Sequence, residues 1–344
     1  KTIVERGIDT LDEVNKFIVP SYEDLHDPFL FKDMNKAVQR IRTAIQNGEQ
    51  ITIWGDYDVD GVTSSSALLM TLKRMGANVT VYIPDRKTEG YGLNREGLEK
   101  IMNMVDLKLL ITVDCGITSK EIVEELEQKG VDVIITDHHE VPEDLPVCHA
   151  VINPKNPNDN YPFKDLAGVG VVGKLIQALA GVETLKEYID LIAFGTVCDI
   201  MPLVGENRIF VHHGLKHINE TPRPQMKIFA QKAFSEAKYT TDVIKASHLG
   251  FNLGPMINSQ GRLGHSKYSV MMFTDDDLTK TEQIADMLFN INKARKEIET
   301  EAIKRFEAKV DVNNLDNILI FYEENLEVGI AGLIASRIVE KFNR

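Results

Sequence analysis

Three carboxylates at alternate positions, Asp56, Asp58 and Asp60, end the apolar run Ile51-Thr-Ile-Trp-Gly55 and are followed by Gly61. Extended residues alternate faces, so the three acids would project together, and like charges held close need compensation. A divalent cation supplies it. The stretch Val62–Met75 then has helical spacing of apolar residues with hydroxyl residues at its start. The unit reads as strand, acidic glycine turn and helix N-terminus, where open α/β sheets place ligands and backbone amides favour phosphate. Two more apolar runs end alike, Leu109–Val113 in Asp114 and Val131–Thr136 in Asp137, His138 and His139. Parallel strands that deliver Asp, Asp and His to one edge assemble a metal site from separate segments. Asp199 closes an apolar helical stretch just before Pro202. That is the wrong end of a helix dipole for a carboxylate, so it too needs a cation.

Other readings of the same residues compete. The acidic string opens like an EF-hand calcium loop, but Ala67 stands at the twelfth position, where that loop requires Glu, and a strand precedes it. Asp58-Val-Asp60-Gly-Val-Thr63 also resembles the aspartyl nucleophile motif of haloacid-dehalogenase-type phosphatases. On these residues alone that alternative stays open, as does a solvated turn without chemistry. Arg86, in the polar loop Asp85–Asn94, suits either a phosphate or a salt bridge with Glu89. Gly168, Gly170 and Gly173 have the G-x-G-x-x-G spacing but open no strand-to-helix turn, which points to close helix packing instead of dinucleotide binding. The segment Gly254–His265, with Asn258 and Arg262, reads as a glycine-rich loop.

The elements around these residues alternate from position 51 onward, with strands at 51–55, 78–83, 107–114 and 131–136 and helices at 62–75, 94–103 and 118–129. Short apolar strands between amphipathic helices predict an α/β fold with a mostly parallel sheet flanked by helices. Residues 1–50 read as a helical lead-in, and 276–310 keep helical periodicity without Gly or Pro, as a spacer would. Ile318–Tyr322 reads as a strand and Gly329–Phe342 as a glycine-led helix. The expected organisation is a catalytic domain over 1–275, a linker helix over 276–310 and the beginning of a smaller α/β domain over 311–344. The chain starts without Met and stops inside a helical pattern, so a fragment is expected. Net charge is −13, which argues against an obvious nucleic-acid binder, although carboxylates that hold metal count as negative in such a sum. Three cysteines, Cys115, Cys148 and Cys198, form no C-x-x-C pair and suggest a reducing compartment without a zinc knuckle. No apolar run is long enough for a membrane span and no signal peptide precedes the first motif, so a soluble cytoplasmic protein is expected.

In order, G-D-Y-D-V-D-G at 55–61, V-D-C-G at 113–116, T-D-H-H-E at 136–140, G-T-V-C-D-I-M-P-L at 195–203 and N-S-Q-G-R-L at 258–263 resemble the DHH phosphoesterase superfamily, specifically the RecJ single-strand DNA exonucleases. The resemblance covers essentially the whole chain and displaces the dehalogenase-type alternative. It implies two divalent ions, Mn²⁺ or Mg²⁺: Asp56 would serve one, Asp58, His138 and Asp199 the other, and Asp114 would bridge them. Carboxylates with an imidazole suit Mn²⁺ better than a thiolate-seeking metal. Asp60 would stand behind the ligands, and His139 would meet the scissile phosphate. The resemblance further implies 5′→3′ hydrolysis of single-stranded DNA to nucleoside 5′-monophosphates in repair and recombination. Arg86, Asn258, Arg262, Ser336 and Arg337 would hold DNA phosphates, a single-strand-binding protein and a helicase would be partners, and the protein would be a monomer. Two alternatives are a DHH phosphodiesterase acting on short oligonucleotides or cyclic dinucleotides, and a non-catalytic DNA-binding assembly protein. Trp54 stands where many relatives carry His, which would leave the first ion one ligand short, and Leu326-Glu327-Val328 replaces a Trp-His pair before Gly329.

Overall fold

Five strands, β1 (Gln50–Gly55), β2 (Asn78–Tyr82), β3 (Leu107–Val113), β4 (Asp132–Thr136) and β5 (Ala150–Ile152), form one parallel sheet in the order β2-β1-β3-β4-β5. The computed structural model describes residues 8–86, 88–235, 243–263, 267–310, 317–324 and 326–343. Ahead of the sheet lie α1 (Leu11–Ile18) and α2 (Met34–Gln46), and between strands run α3 (Val59–Arg74), α4 (Arg95–Met104) and α5 (Lys120–Gln128). After it come α6 (Gly168–Ala180), α7 (Val182–Lys186), α8 (Ile189–Cys198), α9 (Gly205–Glu220), α10 (Pro224–Ala233), α11 (Ala246–His248), α12 (Gly254–Leu263), α13 (Lys267–Thr274), α14 (Leu278–Glu307) and α15 (Val328–Phe342). No described helix is long and apolar enough to cross a membrane.

The strands are apolar on both faces because both are covered. Ile51, Ile53, Leu109, Ile111, Val113 and Ile134 pack under α2, α3 and α6, with α8 seated on α3 and α6. Trp54, Leu110, Val133, Ile135 and Val151 face Leu98 and Ile101 of α4 and Val123 and Leu126 of α5. The doubly covered parallel sheet expected from the sequence is therefore the observed one. A Cβ at Gly173 would lie 3.0 Å from Ile192 Cδ1, and one at Gly195 would lie 2.7 Å from Val169 Cγ1, so the glycines let α6 and α8 touch. The G-x-G-x-x-G spacing serves helix packing here.

Two expectations change. Gly254–Leu263 is helix α12 and not a loop: Met256, Ile257 and Gln260 are buried on one face, and burial overrides the poor helix propensity of its glycines. Residues 317–323 form no strand. Their alternation is real, since Leu319 and Phe321 turn inward, with Phe321 stacked 4.8 Å from Phe306, while Ile318, Ile320 and Tyr322 face out. No described strand lies alongside, and a ladder needs a partner. At 30 residues, α14 spans about 45 Å. Its first half packs on α10, α12 and α13, and Ala302 and Phe306 near its end pack against Ile330, Ile334 and Ile338 of α15.

A buried ion pair ties the lead-in to α6 and α9. Lys174 Nζ donates to Glu206 Oε1 at 2.9 Å and to the His26 carbonyl at 2.6 Å, while Tyr161 Oη donates to Glu206 Oε2 at 2.6 Å. Neither charged side chain is exposed beyond 1%. Removing one partner strands the other in a dry interior, so Lys174→Met should cost about 3–5 kcal/mol in urea unfolding. The double variant Lys174→Met/Glu206→Gln should recover a large part of that loss. A single variant that unfolds like wild type would remove the pair from the account of stability.

Candidate metal centre

The chain turns sharply after β1, and two glycines permit it. A Cβ at Gly55 would sit 2.1 Å from Ser65 Oγ, and one at Gly61 would sit 2.5 Å from the Asp56 carbonyl oxygen, so helix α3 begins directly over the end of its own strand. Asp58 is extended but Asp60 is already helical, so the three acids do not project together from one strand as expected. Asp58 caps α3 by accepting from the Gly61 amide at 3.1 Å. Asp60 lies in the first turn, where its carboxylate accepts from the Gly168 amide at 2.7 Å and the Val169 amide at 2.8 Å. A carboxylate from α3 thus satisfies the N-terminal amides of α6, where the helix dipole favours negative charge.

Asp114 follows β3 with φ of 59°, a left-handed conformation that Asp tolerates better than most residues. The first turn of α6 presses on it: a Cβ at Gly168 would lie 2.7 Å from Asp114 Oδ1. His138 follows β4. Its Nε2 lies 3.1 Å from Asp114 Oδ1, 3.5 Å from Asp199 Oδ2 and 3.7 Å from Asp60 Oδ2. Within 4.8 Å of one another stand Asp56, Asp58 and Asp114 in one group and Asp60, His138 and Asp199 in another, and Asp114 also groups with His138 and His139. The structure thus sets Asp60 beside His138 and Asp199, and Asp58 beside Asp56 and Asp114. Asp114 is common to both sides.

Burial is the first cause of perturbed acidity throughout the cluster, and neighbouring carboxylates are the next in most of it. Asp56 is pushed up to about 8 by burial and by Asp58, and Asp199 to about 6 by burial and by Asp58. Burial and the surrounding acids hold Asp60 and Asp114 well above the ordinary carboxylate range. Burial presses His138 down to about 4, leaving a neutral imidazole that can serve as a ligand. His138 Nε2, Asp114 Oδ1 and Asp199 Oδ2 are buried without any hydrogen-bond partner. Orphaned oxygens and a lone imidazole nitrogen converging on one space fit hard divalent cations.

Asp137, read from the sequence as one of the polar residues ending a strand but given no role there, acquires one in the structure. Its buried carboxylate accepts from the amides of Ile117 at 3.0 Å, His138 at 2.7 Å and His139 at 3.1 Å, and it meets His139 Nδ1 at 2.7 Å. It fixes the loops after β3 and β4 against each other and aims His139. The signal was its place directly ahead of two histidines at a strand end.

Beside the acids lies a cationic rim. Arg86 sits 5.1 Å over the Tyr57 ring, and that ring rests on α12, where a Cβ at Gly261 would meet it at 2.4 Å. Arg86 makes no pair with Glu89, which instead binds Tyr82 Oη at 2.7 Å, the Asp85 amide and Lys100. Burial, Arg86 and Arg295 lower the pKa of Arg262, so the cations crowd one another. Arg262 also donates to the Gly329 carbonyl at 2.6 Å, linking α12 to the start of α15. Asn258 is engaged inside the fold, since its Oδ1 accepts from the Val59 amide at 3.0 Å. Ser336 and Arg337 lie about 11 Å further along α15, where Ser336 bonds the Gly332 carbonyl and Arg337 pairs with Glu340 at 3.0 Å. Trp54 lies in the apolar layer against Tyr82, and its Nε1 is buried without a partner.

The model of the DHH family, N-terminal domain, matches residues 50–196. The chain is 37% identical to the single-stranded-DNA-specific exonuclease RecJ of Bacillus subtilis, over 99% of this chain and 43% of that protein. With the RecJ of Escherichia coli the identity is 34%, over 90% of this chain and 57% of that protein. The chain thus spans about half the length of the curated relatives it matches. A crystal structure of exonuclease RecJ bound to manganese superposes with a TM-score of 0.81 at 30% identity, covering 93% of this chain and 80% of that one. RecJ from Thermus thermophilus with Mn²⁺ gives 0.80 at 28% identity, over 99% of this chain and 48% of that one.

The raised acids set a pH dependence. A carboxyl whose folded value lies above its unfolded one, about 3.9, stabilises the fold at low pH, and that stability is lost as pH rises through the folded value. Without divalent ions the melting temperature should therefore fall from pH 5 to pH 8, Asp199 contributing chiefly below its value of about 6 and Asp56 up to its value of about 8. Added Mn²⁺ should reverse the fall, most strongly at pH 8. A melting temperature that rises with pH in chelator would contradict this account of the cluster.

Proposed function

Because the chain belongs to the DHH family, and within it to the RecJ exonucleases, we propose that it hydrolyses single-stranded DNA from the 5′ end with two divalent cations, Mn²⁺ or Mg²⁺, releasing nucleoside 5′-monophosphates. One observation carries the reading. Carboxylates from the turn after β1 and from the ends of β3 and α8 converge with an imidazole from the end of β4, and among their ligand atoms Asp114 Oδ1, Asp199 Oδ2 and His138 Nε2 have no hydrogen-bond partner. Asp56, Asp58, Asp114, His138 and Asp199 are the proposed ligands, with Asp114 shared between the two positions. When bound, such cations supply Lewis-acid activation of water and charge stabilisation at phosphorus.

The chain's own groups do the rest. His139, held by Asp137 and partly exposed, keeps its proton to higher pH than a free histidine and can donate a hydrogen bond to a phosphoryl oxygen. Arg86 and Arg262 place positive charge beside the acids, where a phosphodiester backbone needs it. Asp60 keeps the first turn of α6 pressed on Asp114 and so fixes the Asp114 carboxylate. Asn258, Ser336 and Arg337 are proposed as further backbone contacts, Asn258 through the amide nitrogen that its bond to Val59 leaves over. Residues 1–275 would form the catalytic unit, α14 the spacer and 311–344 part of a second domain. Recruitment by a single-strand-binding protein and a helicase, and cytoplasmic residence, follow from the same reading.

A long strand labelled at its 5′ end tests it. Labelled mononucleotide should appear first with Mn²⁺ present, and Asp114→Ala should lower the rate by at least about a hundredfold. Cleavage confined to very short oligomers would favour the oligonucleotide phosphodiesterase instead. Undiminished hydrolysis by Asp114→Ala would displace the site.

A further inference from the structure

Helix α8 ends in a two-bond stop just after Asp199. The Ile200 amide donates to the Val197 carbonyl at 3.2 Å, the Met201 amide donates to the Thr196 carbonyl at 3.3 Å, and Ile200 takes a φ of 58°. Glycine fits this left-handed position without strain, and a β-branched residue is among the worst choices for it. The chain obeys that rule elsewhere: Gly48, Gly76, Gly130 and Gly181 follow α2, α3, α5 and α6, all with positive φ. Among the described residues Ile200 is the one β-branched side chain in that region. Packing offers no compensation, for Ile200 is 88% exposed.

A second irregularity abuts the same turn. Residues Leu249–Leu253 wind as a π-helix, a rare form that recurs at functional sites. It rests on the end of α8, where Cys198 Sγ meets the Leu249 carbonyl at 3.6 Å and Gly250 lies over Val197. This segment presents Phe251 with 81% of its surface exposed. Two uncommon backbone states, from separate parts of the chain, thus meet at the end of α8, and each holds an apolar side chain in solvent, Ile200 directly after Asp199 and Phe251 directly after Gly250.

We propose that Ile200 and Phe251 form an apolar lip on which nucleobases of the single strand rest as its phosphodiester enters the acidic centre. The inference rests on the function proposed above and assigns the residues that sense the bases. The occupant follows from position: the centre and the cationic rim suit the charged backbone, and the apolar part of a nucleotide one step away is its base. Bases stack on aromatic and aliphatic faces without regard to sequence, and a paired strand withholds those faces. The lip would thus favour unpaired strands.

Ile200→Gly makes the test sharp, because glycine relieves the backbone and should leave the melting temperature equal or higher. Fluorescence anisotropy with the whole chain, Ca²⁺ in place of Mn²⁺, and labelled oligo(dT) or an abasic strand of equal length reads the contact. Wild type should prefer oligo(dT). Ile200→Gly and Phe251→Ala should each weaken oligo(dT) binding by about fivefold or more while the abasic strand is little affected. Equal affinity of wild type for both strands, or a variant that keeps the preference, overturns the lip, and so does a lowered melting temperature of Ile200→Gly. If wild type cleaves nothing with Mn²⁺ yet loses its preference for bases in both variants, the hydrolase reading falls and the lip stands.

Discussion

Mutual repulsion among buried carboxylates is the constraint around which this molecule is organised. Burial raises the proton affinity of Asp56, Asp58, Asp60, Asp114 and Asp199, and neighbouring carboxylates raise that of Asp56, Asp60, Asp114 and Asp199 further. Protein groups answer only part of it. The Gly61 amide serves Asp58, the Gly168 and Val169 amides serve Asp60, and the neutral His138 brings no positive charge. What remains is an electrostatic debt of a size that cations settle and side chains here do not.

The fold looks different once that constraint is placed at its centre. A parallel sheet points the ends of β1, β3 and β4 in one direction, and the same sheet buries its middle on both faces, so charge can gather only at the edge. Helices α6 and α8 cross that edge from opposite senses. The N-terminus of α6 supplies amides to Asp60, whereas the C-terminus of α8 carries Asp199 against its own dipole. One helix relieves the cluster and the other loads it. Close approach of the two, allowed at Gly173 and Gly195, makes both effects local.

Acid at the centre and base at the rim reconcile a chain of net charge −13 with a polyanionic partner. Arg86 and Arg262 stand near Tyr57, itself set between Asp56 and Asp58, and Arg295 is close enough to Arg262 to oppose its charge. The formal sum is blind to this arrangement, because it adds carboxylates that face cations to lysines and arginines that face solvent.

From the amino-acid order alone the parallel sheet, its two covering layers and the delivery of acids to one edge were legible, because strand-period apolar runs and abrupt polar ends are local signals. The ion-pair alternative for Arg86 was a matter of distance, and Glu89 turned out to be held by Tyr82 and Lys100. Helix α12 escaped notice because its glycines and asparagine resemble a loop until Met256 and Ile257 find a core to fill. The segment 317–323 carries strand alternation, yet whether a strand forms is decided by a neighbour. Likewise the grouping of Asp60 with His138 and Asp199, the capping of α6 from 108 residues away and the clamp of Asp137 on two loops are contacts between distant segments. Residue types and periodicity therefore determine which chemistry is present and which edge receives it. Only tertiary structure decides which oxygen meets which nitrogen, since those distances depend on how helices cross and not on their order in the chain.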